Sequence, residues 1–159
     1  MKLTIRKGNI DDVPIVYDLI MELAIFEKEA DAVENSIEQL KNDGFGEKAF
    51  YKLLIAENEK QEVLGMALYY YGYSTWKGKL LYLDDLVIRE AYRKRGIGTK
   101  LISKLFEIAR EEKMKFVKWE VLDWNKPAIK LYKKLNARLD DSWIACKFDE
   151  TQIKNFPKL

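Results

Sequence analysis

The chain has 159 residues, of which none is histidine and one is cysteine, and its 28 basic and 26 acidic side chains give a formal net charge of +2. The absence of histidine excludes Ser-His-Asp and Cys-His catalysis and histidine-based zinc sites, and the single Cys146 excludes an internal disulfide. Acid–base chemistry therefore falls to carboxylates, tyrosine, lysine or water.

Apolar residues recur at helical or strand spacing along the chain, and turn residues separate these periodic segments. The predicted elements are, in order, a strand at 3–6, a helix whose apolar residues run from 13 to 24, a helix at 36–42, strands at 50–56, 63–71 and 80–88, a helix at 98–110, a strand at 116–121, a helix at 127–135 and a strand at 143–148. This order predicts a mixed α/β fold, with hairpins in the first half and crossover helices in the second.

The length and composition fit one domain over residues 1–159. The hydrophobic fraction is 48%, which is typical of a globular chain with a buried core. The longest apolar run, residues 66–71, is far too short to span a membrane, and the N-terminal residues lack the apolar core of a signal peptide. With one free cysteine as well, we expect a cytoplasmic protein without a membrane partner.

The near-zero net charge conceals two opposed regions. Residues 1–50 hold eleven acids and six bases, whereas residues 89–104 hold six bases and one acid. Such charge runs often mark only a solvated surface. They also suit a protein that binds a cation at its acidic region and an anion at its basic region. Glu22, Glu27 and Glu29 are the acids that we expect to attract a cationic amine.

The segment over residues 92–99 is the strongest candidate for an anion site. It joins a predicted strand to a predicted helix, where backbone N–H groups meet the positive end of the helix dipole, and it combines three basic residues with Gly96 and Gly98. The alternative is a plain strand–helix turn that uses glycine for its conformation. Leu101 stands where a Rossmann fingerprint has its third glycine, and no Walker A motif is present, so dinucleotide and ATP sites are disfavoured.

Two further segments carry candidate chemistry. Asn125 precedes a predicted helix that contains Tyr132, although a helix cap and ordinary packing are the simpler interpretations. Asp84 and Asp85 are adjacent in a predicted apolar strand, and we expect them to point to opposite faces. The aromatic residues from 69 to 76 could accompany nucleic acid, but a net charge of +2 gives no basic footprint, so no nucleic-acid partner is expected.

Together these segments resemble the GNAT superfamily of N-acetyltransferases, and within it the diamine acetyltransferase group, which includes the spermidine/spermine and thialysine acetyltransferases. The resemblance rests on residues 93–98 and 125–132, and on local similarities at 22–27, 43–47, 78–85 and 124–125. It implies a mixed sheet with mostly antiparallel N-terminal strands and a central splayed parallel pair, flanked by helices. It also implies acetyl-CoA as cosubstrate, no metal, and a homodimer.

The resemblance also implies roles for individual residues. Tyr132 is the implied general acid, Asp84 acts on the amine where the group has a glutamate, and Phe26, where the group usually has tyrosine, joins Glu27 in a substrate channel. Asp84 and Asp85 are both implied in substrate binding. The positions implied in cofactor binding are Leu86, Val87, Ile88, Arg93, Lys94, Arg95, Gly96, Ile97, Gly98, Thr99, Asn125, Ala128 and Tyr132.

The sequence therefore predicts direct acetyl transfer from acetyl-CoA to a primary amine of a small cationic substrate, either a diamine or polyamine or a lysine-like amino acid such as thialysine. Two alternatives stay open. One is acetylation of a protein or peptide amine, and the other is a regulator that binds CoA without catalysis. A nucleic-acid-binding module is the weakest option.

Overall fold

The computed structural model describes residues 2–157, and its chain divides into two compact units, Met1–Glu120 and Val121–Leu159. The first unit contains one five-stranded sheet, formed in order by β1 (Leu3–Lys7), β2 (Lys52–Asn58), β3 (Val63–Ser74), β4 (Gly78–Ile88) and β5 (Phe116–Lys118). The first four strands pair antiparallel with their neighbours, and β4 pairs with β5 in parallel. The predicted mixed sheet, with antiparallel strands and a parallel pair, is confirmed. The pair lies at the edge of the sheet and not at its centre, because no strand among residues 2–157 follows β5.

Three helices of the first unit flank this sheet, namely α1 (Val13–Glu27), α2 (Ile37–Phe45) and α3 (Ile97–Glu111). Local sequence explains where the first two begin. Pro14 stands in the first turn of α1, where its missing N–H costs nothing, after a 3-10 turn capped by the side chain of Asn9. At the start of α2, the Ser36 hydroxyl accepts a hydrogen bond from the N–H of Gln39.

Each face of the sheet carries its own hydrophobic core. On one face, Leu101 and Leu105 of α3 are buried against a cluster that includes Leu54, Leu81 and Leu83 of the sheet. On the other face, buried side chains of α1 and α2 pack against another part of the sheet, namely Val13, Val16, Leu19 and Leu40 against Leu53, Ile55, Met66, Leu68 and Val87. Because each cluster lies on one face, membership of a cluster shows to which face an apolar side chain of β4 points.

An ion-pair network attaches the start of α1 to the sheet. The Arg6 guanidinium donates to both carboxylate oxygens of Asp12 and to Glu57, with each distance at 2.7 Å. The bond to Arg6 lowers the pKa of Asp12 below its usual range. Asp12 and Glu57 therefore serve structure, and Asp12 is one acid of the N-terminal region that is not available to a substrate.

The second unit differs most from the sequence prediction. It contains α4 (Lys126–Lys134) and α5 (Glu150–Lys154), and residues 137–149 form neither helix nor strand, so the strand predicted at 143–148 is wrong. Trp143 and Ile144 are 78% and 90% exposed. Aromatic and β-branched residues favour strands only where a neighbouring strand and a half-buried surface are present, and composition alone does not supply them.

Smaller differences concern the ends of elements. β5 ends at Lys118 rather than at residue 121, and β3 runs on to Ser74. In the part of the chain that the structure describes, no helix combines the length and apolarity that crossing a membrane requires.

Candidate functional site

A β-bulge at Asp84 shapes the middle of β4. Across the β3–β4 ladder, Leu68 lies opposite Asp85 and Tyr69 lies opposite Leu83, so Asp84 is an additional residue without a partner on β3. Bulges of this kind bend a strand and re-aim its side chains.

The bulge brings two carboxylates to the same face of the sheet. Leu83 belongs to the core beneath α3, and Val87 belongs to the core beneath α1. Alternation therefore directs Asp85 to the α1 face together with Val87, while Asp84, next to Leu83, also turns to the α1 face. The expectation that Asp84 and Asp85 point to opposite faces is wrong, because strict alternation does not survive an inserted residue.

The two aspartates sit in an acidic environment that favours their protonated forms. Burial, followed by the charges of Asp84 and Glu27, raises the pKa of the half-buried Asp85 to about 7. Asp84 is exposed, and its pKa is also raised, first by partial desolvation and then by Glu120. Burial and Glu29 raise the pKa of Glu27 on the last turn of α1. The group thus holds a carboxyl that exchanges its proton near neutral pH.

Phe26, a residue of the predicted substrate channel, lies in contact with Arg93 of the predicted anion segment. The Arg93 guanidinium lies 5.3 Å from the centre of the Phe26 ring, and its Nε donates to the carbonyl of Ile88 at 3.0 Å. Phe26 precedes Glu27 at the end of α1, while Arg93 belongs to the basic segment after β4. The predicted substrate pair and the predicted anion segment therefore meet at the end of β4.

Glu22 does not join this acidic group as a free charge. Its carboxylate accepts a hydrogen bond from Arg89 at 2.8 Å, and Arg89 also donates to the carbonyl of Val63 at 3.0 Å. The hypothesis that Glu22 attracts an amine is therefore replaced by a structural role, which links α1 to the ends of β3 and β4. Sequence reasoning missed Arg89, because spacing alone does not pair residues that are 67 positions apart.

The start of α3 has the features of an anion site. Gly96 precedes the helix with φ at +78°, and no side chain caps the N-terminus that begins at Ile97. The backbone N–H groups of Ile97, Gly98 and Thr99 lie in this uncapped first turn, where the helix dipole is positive. Three exposed basic side chains, Arg93, Lys94 and Arg95, precede it. The groups present fit a pyrophosphate.

The C-terminal half of β4 leaves one backbone edge open. β5 pairs only with Leu80, Leu81 and Tyr82, and no other strand among residues 2–157 pairs with that side of β4. The predicted cofactor residues Leu86, Val87 and Ile88 lie beyond this pairing, on the part of β4 that leads to the anion segment. This edge fits an extended ligand that pairs with the strand by backbone hydrogen bonds.

The second unit holds the remaining predicted residues on α4. Asn125 caps this helix, and its side-chain oxygen accepts a hydrogen bond from the N–H of Ala128 at 3.3 Å. Tyr132 is 7% exposed, and its burial raises the pKa of the phenol above the ordinary value. The phenol therefore keeps its proton at neutral pH.

The Gly96 backbone conformation allows a test of the anion site. A Gly96→Ala substitution is expected to weaken CoA binding about 10-fold, because the free loop would relax from the φ near +78°, which strains an alanine by about 1–2 kcal/mol, and CoA would have to restore it on binding. The added methyl group itself meets no atom within 4 Å, so crowding does not contribute. Calorimetric titration with CoA measures the effect.

Gly98→Ala is a second variant at the same helix end, where φ is not positive and alanine adds no backbone strain. Its added methyl group would make only ordinary contacts, at 3.8 Å with Ile88 and 4.0 Å with Leu86, so the melting temperature should stay near that of the wild type. Wild-type CoA affinity in both variants would contradict a phosphate site at this helix end.

Comparison with known proteins identifies the family to which these features belong. The sequence model of the acetyltransferase (GNAT) family matches residues 14–137 of the chain. The match therefore includes α1, the bulged strand, the anion segment and the helix with Tyr132.

Individual relatives agree with this match. The chain is 45% identical to a thialysine N-epsilon-acetyltransferase of Bos taurus over 84% of this chain and 83% of the relative, and 39% identical to that of Mus musculus over 91% of both chains. Among solved structures, an integron cassette protein from the mobile metagenome of V. cholerae shares the fold with a TM-score of 0.76 at 24% identity. The alignment covers 97% of this chain and 96% of that one.

Proposed function

The chain belongs to the GNAT family of acetyltransferases and is an N-acetyltransferase, and from this premise we propose that it transfers an acetyl group directly from acetyl-CoA to a primary amine of a small cationic substrate. The candidate substrates are diamines, polyamines and lysine-like amino acids, in keeping with the relatives named for thialysine. The bulge that turns Asp84 and Asp85 to one face carries the proposal, because amine acetylation needs a proton acceptor beside a cation site.

The substrate amine must lose a proton before it can react. An alkylamine with a pKa near ~10.4 is neutral in only about one molecule per 10³ at pH 7. In the proposed site, Asp84 at the bulge meets the ammonium, and Asp85, with its pKa of about 7, holds the released proton. Glu27 adds negative charge that favours the cation.

Acetyl-CoA supplies an acetyl group activated as a thioester. The neutral amine nitrogen attacks the carbonyl carbon, so a C–N bond forms and the C–S bond breaks. Asp85 holds the first proton of the ammonium, and the second proton, which the nitrogen loses once the C–N bond has formed, passes to Asp84, directly or through water. The departing thiolate takes the phenolic proton of Tyr132, which solvent then replaces. The raised pKa of Tyr132 keeps this proton available at neutral pH.

The chain's own backbone provides most of the proposed cofactor contacts. The open edge of β4 at Leu86, Val87 and Ile88 would pair with the pantetheine arm, and the first turn of α3 would hold the pyrophosphate. Arg93, Lys94 and Arg95 add positive charge. Asn125 and Ala128 remain predicted cofactor contacts through the start of α4.

Thiol release measures this proposed activity. Purified enzyme with acetyl-CoA is expected to release CoA when putrescine, spermidine, lysine or thialysine is added, and to stay near the buffer rate without an amine. A lysine-containing peptide is the comparison substrate. Release with the peptide alone would favour a protein acetyltransferase, whereas CoA binding without release for every amine would favour the regulator and contradict the proposal.

The remaining expectations concern the state of the protein in the cell. We propose that residues 1–159 act as one acetyltransferase domain, as a homodimer in the cytoplasm, with no nucleic acid, membrane or metal as partner. Within residues 2–157, no group of three acidic or cysteine side chains is arranged to hold a metal ion. Light scattering on purified protein measures the oligomeric state directly.

A further inference from the structure

Lys118 and Glu120 lie beside the proposed amine site, and none of the roles described above uses them. Lys118 is the last residue of β5 and lies opposite Tyr82 of β4. Trp119, between the two charged residues, packs against the α3 side of the sheet, with its ring centre 6.5 Å from that of Phe106. The side chains of Lys118 and Glu120 extend to the α1 side of the sheet, which is the side to which the bulge directs Asp84.

Both charged side chains lie near the Tyr82 ring. The Lys118 ammonium lies 5.8 Å from the centre of this ring, and Glu120, after burial, raises the pKa of the Tyr82 hydroxyl. Tyr70 stacks on Tyr82 with ring centres 4.9 Å apart and fixes the ring. Within residues 2–157, no ion pair includes Lys118 or Glu120.

Both residues of this pair lie near Tyr82, which is two positions from Asp84 on β4. After burial, the charge of Glu120 raises the pKa of Asp84. The charges of Glu120 and Asp84 also add to the effect of burial in raising the pKa values of Tyr70 and Tyr82. Lys118 and Glu120 are both exposed. A ligand with its reacting amine at Asp84 would therefore present its far end to Lys118 and Glu120.

The charges of this pair discriminate between the candidate substrates. A diamine or polyamine carries only positive charges, so Lys118 would repel its far end. The far end of a lysine-like amino acid carries a carboxylate and an ammonium on one carbon, and Lys118 and Glu120 match these two charges. Charged groups that recognise a ligand in this way contribute to selection through both attraction and repulsion.

We propose that Lys118 and Glu120 form the far end of the amine site and select α,ω-diamino acids over diamines without a carboxylate. Lys118 binds the α-carboxylate and Glu120 binds the α-ammonium, beside the stacked rings of Tyr70 and Tyr82. This inference rests on the proposed acetyltransferase activity of the same site.

L-lysine and 1,5-diaminopentane are the matched substrates, because the diamine is lysine without its carboxylate. The wild type is expected to show a higher kcat/KM for lysine than for the diamine. Lys118→Met, which keeps most of the aliphatic stem and removes the charge, is expected to lower kcat/KM for lysine about 10-fold and to raise that for the diamine, because the repelling charge is gone. Glu120→Gln is expected to lower both values, since both substrates carry a far ammonium.

Lys52→Met is the control variant, because Lys52 is an exposed lysine at the start of β2. Its lysine-to-diamine ratio should equal that of the wild type. An unchanged ratio in Lys118→Met, with active enzyme, would overturn this inference and leave the proposed function intact. Absence of thiol release with every amine would overturn the proposed function and this inference with it.

Discussion

An Asp85→Asn variant is expected to lose at least about 100-fold in kcat/KM for its amine substrate while it gains stability at pH 8. The loss follows because asparagine cannot accept the proton that leaves the ammonium. The gain follows because burial, Asp84 and Glu27 all disfavour the charged form of Asp85 in the folded protein, and the amide removes that charge. A merely misfolded variant would lose both activity and stability.

The pH dependence of the wild type gives an independent measurement of the same group. Asp85 must be deprotonated to act, so kcat/KM should fall as the pH drops through about 7 and should level off above it. Because Asp84 and Asp85 interact, this apparent pKa belongs to the pair. In Asp85→Asn, the residual activity should fall at lower pH than in the wild type, since the carboxyl with the raised pKa is gone.

The stability difference has a defined pH window. The pKa of Asp85 is about 7 in the folded protein and near 3.8 in the unfolded chain, so the protonated carboxyl favours folding at low pH and this contribution disappears as the pH rises to about 7. The advantage of Asp85→Asn should therefore grow between pH 4 and 7 and reach about 4 kcal/mol at most. Thermal unfolding at pH 4, 6 and 8 measures it.

Asp18→Asn is the control for both measurements, because Asp18 is an exposed carboxylate on α1. It should match the wild type in kcat/KM and in the pH trend of its melting temperature. Full activity in Asp85→Asn would remove Asp85 from the proton path, and a melting temperature at pH 8 below that of the wild type would contradict its raised pKa.

Strong local signals explain which parts of the fold the sequence predicts. The capping residue Asn9, the first-turn Pro14 and the continuous apolar runs of β2 and β3 each specify an element within a few residues of its place. The strand predicted at 143–148 failed for the opposite reason. Its aromatic and β-branched residues have strand propensity, but a strand also needs a partner, and propensity does not provide one.

The candidate site shows the same limit at the level of single residues. The anion segment is predictable, because its glycines and basic residues are adjacent in sequence. The shared face of Asp84 and Asp85 is not, because it depends on a bulge that appears only when β4 pairs with β3. The hydrogen bond of Glu22 with Arg89 and the effect of Glu120 on the pKa of Tyr82 likewise join residues that are distant in sequence.

The structure assigns different roles to the acidic residues of the N-terminal region. Part of the acidic N-terminal region is used for structure, since Asp12 pairs with Arg6 and Glu22 pairs with Arg89. Glu27 is the acid of this region that joins the aspartates of β4, as its effect on the pKa of Asp85 indicates. The proposed cation site thus comes from a few residues near the bulge, whereas the basic charges before α3 are adjacent in the sequence.

A Tyr132→Phe variant is expected to lose about 100-fold or more in kcat while its affinity for CoA and its melting temperature stay near those of the wild type. Phenylalanine keeps the buried ring and removes only the hydroxyl, which is the proposed proton donor to the departing thiolate. The raised pKa of Tyr132 adds a second expectation. Because the donor must be protonated, and burial raises its pKa, wild-type activity should not decline through this group until the pH exceeds the ordinary range of tyrosine.

Tyr73→Phe is the matched control, since Tyr73 is 74% exposed at the end of β3 and loses the same single oxygen. Thiol-release kinetics, calorimetric titration with CoA and thermal unfolding on the three proteins separate the possible outcomes. A low kcat with normal CoA affinity assigns the hydroxyl to the chemical step, because a lost binding contact would weaken CoA instead. Wild-type kcat in Tyr132→Phe would exclude Tyr132 as the acid and leave water as the source of the proton.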